Sequence, residues 1–86
     1  MFTYDYLISL TDAEIKKAAS NREDFEQFIV PRFKAADKLI ENYLNEADIM
    51  GKNIQSTEYR YEYNALKRIT DKMLSYSKEA KAAGLW

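Results

Sequence analysis

Residues 20–50, SNREDFEQFIVPRFKAADKLIENYLNEADIM, decide the fold. Phe25, Ile29, Phe33, Ala36, Ile40, Tyr43, Ala47 and Met50 recur in alternating steps of three and four, which lines them along one face of a helix. The only proline of the chain, Pro31, falls inside this stripe. It lacks an amide hydrogen and clashes with the carbonyl four residues back, so a regular helix interior would lose about 3 kcal/mol there. The stripe nevertheless continues past it. The spacing therefore predicts one helix from about Asn21 to about Ile49, kinked near Pro31, although Val30 is biased away from helical angles by the proline that follows.

An apolar face needs a partner, and the last third of the chain supplies one. Tyr59, Tyr63, Leu66, Ile69, Met73, Tyr76 and Ala80 fall on one side of a second helix, residues 57–83, with Leu74 at its margin. Gly51 is placed to end the first helix and Gly84 the second, and Thr57 to cap the second. A short polar connection makes the two helices antiparallel neighbours, each about 40 Å long at 1.5 Å per residue.

Upstream, Leu10-Thr11-Asp12-Ala13-Glu14 carries the capping-box pattern. It predicts a short helix, Asp12 to Ala19, with Ile15 and Ala18 or Ala19 facing inward. Ser20-Asn21-Arg22-Glu23 repeats the device at once, which forces a corner. Residues 2–10 fit both a period of two and a helical face. With no second alternating run to pair with, they are expected as a short helix or an extended arm whose aromatics pack on the bundle. The expected architecture is a single all-α domain, 1–86: a hairpin of two long helices closed by short N-terminal helices into a three- or four-helix bundle. Some 20 residues cannot cover so long a hairpin, so part of its stripe is expected to stay bare unless an oligomer hides it.

Composition agrees and narrows the chemistry. The 86 residues hold two glycines and one proline, too few for a turn-rich β fold, and 47% are hydrophobic, too many for a disordered chain. Cysteine and histidine are absent. That removes disulfides, thiolate chemistry, Cys-based zinc sites and the commonest general base and metal ligand. There is no Gly-rich phosphate loop and no Gly-x-Ser-x-Gly turn. Glu41 with Glu46, or Glu23 with Asp24, read as solvated acids rather than a catalytic pair. The chain is accordingly expected not to be an enzyme and to carry no cofactor or metal. No apolar run approaches the roughly 18 residues that cross a bilayer, and the start lacks a basic leader, so a cytoplasmic location is expected.

Charge is uneven. Residues 1–50 hold ten acids and six bases, and residues 51–86 four acids and seven bases, giving −4 and +3 within a net −1. Two readings follow: opposite charges on neighbouring helices pair with each other, or the basic half meets a partner. Twelve aromatic residues exceed what the hairpin core needs. Tyr61 lies near the opposite side of its helix from Tyr59 and Tyr63, beside Arg68 and Lys72, and Tyr and Arg are enriched at interface hot spots. Tyr61, Arg68 and Lys72 thus form a candidate partner-binding patch, with Trp86 as a possible anchor; exposed tyrosines are also common without any role.

The leading functional expectation is a non-enzymatic helical module that binds a protein partner. An oligomeric structural module, such as a virion connector component, is the alternative. A third is nucleic-acid binding through the last helix, where Arg60, Lys67 and Lys78 form a strip that Asp71 and Glu79 interrupt. Membrane binding is disfavoured, because the cations do not flank an exposed apolar face. Short length, abundant Tyr, Lys, Asn and Ile, and the lack of Cys and His resemble small phage or mobile-element proteins. That resemblance implies an inhibitor or adaptor acting on a host protein complex.

Overall fold

A computed structural model describes residues 2–86. Helix α1 (Tyr4–Ile8) and helix α2 (Asp12–Ala19) precede a long central helix. The latter is continuous through α3 (Arg22–Asp24), a π-helical turn (Phe25–Ile29) and α4 (Val30–Ile49). A 3-10 turn (Ile54–Ser56) leads into α5 (Arg60–Ala82), which folds back along α4. The fold is all-α, with no strand among the described residues.

Local chemistry sets each boundary. Thr3 caps α1 by accepting from the Tyr6 amide, which resolves residues 2–10 as a helix rather than an arm. Thr11 and Glu14 form the reciprocal capping box of α2, and Asn21 caps α3 by accepting from the Asp24 amide. Both long helices close with the same C-terminal motif. The Lys52 amide donates to the Ala47 carbonyl and the Gly51 amide to that of Asp48; Leu85 and Gly84 do the same to Ala80 and Lys81. This wrap requires a left-handed residue after the cap, and Gly51 (φ 66°) and Gly84 (φ 76°) supply it. Thr57 ends the 3-10 turn instead of opening α5, although its hydroxyl still accepts from the Tyr59 amide.

Pro31 is accommodated by widening the turn before it. The Val30 amide bonds the carbonyl of Phe25, five residues back, and Val30 itself is helical at φ −57°, ψ −49°. The pre-proline bias is overridden because the helix changes register at the point where the proline would have left a bond unmade. One extra residue in a turn rotates the preceding segment by about 100°, the arc of one residue. The stripe residues on both sides of Pro31 still share one surface: Ile29, Ala36 and Ile40 enter the same core, and Phe25, Ile29 and Phe33 line the same depression. Phe28 turns toward α2, where it lines a depression with Glu14, Lys17 and Ala18, and Phe25 turns toward Trp86.

The core lies between the hairpin and the N-terminal helices. Leu7, Leu10, Ile15 and Ala18 from the first two helices meet Ile29, Ala36 and Ile40 of the central helix and Leu66, Ile69 and Met73 of α5. Helices α1 and α2 pack mainly on α5 and on the N-terminal part of the central helix. They cover one face of a molecule 45 × 24 × 17 Å and leave the opposite face of the hairpin without a layer. Opposite charges on α4 and α5 do not pair. The ion pairs among the described residues are Arg22–Glu26 within the central helix and Lys72–Asp12 between α5 and α2.

Candidate functional site

The residues singled out from the sequence fall in two places. Tyr61, Arg68 and Lys72 share one stripe of α5, at spacings of seven and four residues. Tyr61 is 69% exposed, with the Arg60 guanidinium 4.9 Å from its ring centroid and donating to its hydroxyl at 3.3 Å. That hydrogen bond and the positive charge behind it hold the Tyr61 phenol below its ordinary pKa. Arg68 is exposed, whereas Lys72 is half-buried and donates from Nζ to Asp12 Oδ1 at 2.7 Å.

Trp86 lies away from that stripe, at the other end of α5. Its ring centroid is 4.6 Å from that of Phe25, its Nε1–H donates to the Ala19 carbonyl at 2.9 Å, and Lys81 Nζ sits 4.9 Å from the ring. It clasps the C-terminus to the corner between α2 and the central helix. The four residues therefore do not form one surface.

Sequence reasoning missed the role of Arg32. Its guanidinium carbon lies 3.7 Å from the Phe28 ring centroid, 4.5 Å from that of Phe2 and 5.5 Å from that of Tyr6. Nε donates to the Tyr6 hydroxyl and Nη1 to the Phe28 carbonyl, both at 3.0 Å. The charge is satisfied by π faces and neutral oxygens, and α1 is riveted to the central helix one residue after the proline. Tyr4, Tyr43 and Tyr59 form a second aromatic cluster. Tyr43 stacks on Tyr59 at 5.5 Å, and Glu62 approaches with one carboxylate oxygen buried and without a hydrogen-bond partner. Burial first, and the Glu62 charge second, raise the pKa of Tyr4 and of Tyr43.

The uncovered face of the hairpin is a further feature. Phe33, Asp37, Ile40 and Leu44 follow one another at helical spacing on α4, and Tyr63, Lys67, Thr70 and Leu74 do so on α5. Leu44 is 41% exposed and Leu74 46%, while Phe33 and Tyr63 are half-buried. Phe33, Lys34, Asp37 and Leu74 line one depression together with Phe25, Ile29, Val30 and Met73, with no contribution from α1 or α2. The result is an apolar seam with Lys34 and Asp37 along its α4 side and Lys67 and Asp71 along its α5 side. Leu74 was legible in the sequence only as a marginal position of its stripe.

No described helix is long and apolar enough to cross a membrane. Comparison with protein families, with curated proteins and with solved structures finds no match.

Proposed function

We propose that this chain is a non-enzymatic helical interaction module that binds another polypeptide along the open α4–α5 seam, serving as an adaptor or as an inhibitor that occupies its partner's surface. The observation that carries this reading is the one-sided covering of the hairpin. Leu44 and Leu74 stand exposed on the uncovered face, where half-buried Phe33 and Tyr63 join them, and Lys34, Asp37, Lys67 and Asp71 flank this strip. An apolar centre with a polar rim is the usual anatomy of a protein contact. The occupant this surface suits is a helical surface that is apolar and flanked by both acids and bases.

The outer stripe of α5 supports the reading less well, since Lys72 is already engaged by Asp12 and Trp86 is folded in. A photoreactive benzoylphenylalanine placed at position 74, and separately at position 61, tests the choice in living cells. A discrete protein adduct is expected from position 74 and none from position 61. Adducts from position 61 alone would move the contact to the outer stripe, and no protein adduct from either position would overturn the proposal.

A further inference from the structure

We infer that the occupant of the open seam is a second copy of this chain, related by a two-fold axis parallel to the helices, so that α4 of each copy lies over α5 of the other. The inference rests on the reading of the seam as a protein-binding surface and adds which protein fills it.

The antiparallel register of the hairpin carries the argument. Phe33 and Leu74 line the same depression and Tyr43 stacks on Tyr59, which sets Lys34 level with Asp71 and Asp37 level with Lys67. Within one chain these charges stay apart, since no ion pair joins α4 to α5 among the described residues. A second copy turned about an axis along the groove brings its α4 onto α5 of the first, at the same level and in the same relative sense. Its Lys34 then meets Asp71, its Asp37 meets Lys67, its Phe33 covers Leu74 and its Ile40 comes level with Tyr63, with Leu44 about one turn beyond. Symmetry repeats every contact, so two sets of opposite charges close around a shared apolar centre.

The other face-to-face two-fold, with its axis across the helices, lays α4 on α4 and α5 on α5. It brings Asp37 to within about a turn of Asp37, and Lys67 to within about a turn of Lys67, which is repulsive. The charge pattern thus selects one of the two arrangements. The apolar strip from Phe33 to Leu44 is only about 16 Å long at 1.5 Å per residue, so the interface is small and the association is expected to be weak and reversible.

Sedimentation of Asp37→Lys and Lys67→Glu variants tests this, with circular dichroism to show that each keeps its helicity. The wild type is expected to dimerise over the micromolar range, and each single variant to lose roughly tenfold or more in self-affinity, because like charges now face each other. Mixing the two variants is expected to restore a dimer, since every charge in the mixed pair again meets its opposite. A folded wild type that stays monomeric over that range would overturn the inference. If position 74 then still yields an adduct with a different protein, the proposed function survives without it. A dimer whose affinity neither single variant changes, or variants that fail to recover on mixing, would also overturn it.

Discussion

The two faces of the α4–α5 hairpin arise from the same alternation of three- and four-residue apolar steps, yet one is sealed and the other open. On the sealed face each contact is specific. Leu7 and Ile15 are fully buried against α5 and the central helix, Arg32 is held between aromatic rings, Asp12 pairs with Lys72, and Trp86 bonds the Ala19 carbonyl. On the open face, leucines of the same helices end in solvent and charges of opposite sign lie level with each other unpaired. A helical stripe wider than its covering is the physical trace of a missing layer. What distinguishes the faces is not hydrophobicity but whether the chain itself supplies the polar and aromatic complement.

Two leucines of α5 give the sharpest break of that comparison. Leu66 is 0% exposed on the sealed side. Leu66→Ala is expected to cost about 2–5 kcal/mol of stability through lost burial and a residual cavity. Leu74→Ala on the open side is expected to stay within about 0.5 kcal/mol of the wild type. Thermal and urea unfolding monitored by circular dichroism checks both, and equal losses would mean that the two faces are not different in kind.

A smaller effect is expected at Arg32. Replacing it by Met keeps much of the aliphatic packing but removes the cation and its two donors, a loss of about 1–3 kcal/mol. The α1 amides should lose hydrogen-exchange protection while those of α5 keep it. Uniform loss along the chain would show that Arg32 does not act as a rivet for α1.

The smallest effects concern the tyrosines. Tyr4 and Tyr43 are raised by burial and by Glu62, so the stability they contribute is present below the unfolded phenol value near 10.0 and is lost as pH rises through their higher folded values. Tyr61, held low by Arg60, titrates before these two. Ultraviolet titration should resolve this order, and Glu62→Gln should bring Tyr4 and Tyr43 closer to the ordinary value. An unchanged profile would remove Glu62 as a cause.

Much of the architecture was legible because helices announce themselves locally. The Thr11–Glu14 capping box, the two glycine ends and the three-four spacing all lie within a few residues of what they determine, whereas the second start falls one residue later than its pattern, since Ser20 closes α2 and Asn21 accepts from the Asp24 amide. The π turn was not legible, because the pattern around Pro31 fits a helix equally well with or without one extra residue. The role of Arg32 and the inward docking of Trp86, expected as an anchor for a partner, escaped for a different reason. Their partners Tyr6 and Ala19 lie 26 and 67 residues away, beyond the reach of any periodicity. The bare stripe could be expected from the length of the hairpin against its covering. Which flank stayed bare depended on where α1 and α2 docked.

The most direct measurement is sedimentation velocity of the wild type beside a Leu44→Glu, Leu74→Glu double variant, with helicity and melting recorded for both. The wild type is expected to be a reversible micromolar dimer, and the variant a monomer with nearly unchanged helicity and melting. A wild type that stays monomeric, or a variant that associates as the wild type does, would contradict the view that the uncovered face of the hairpin is where this protein meets its partner copy.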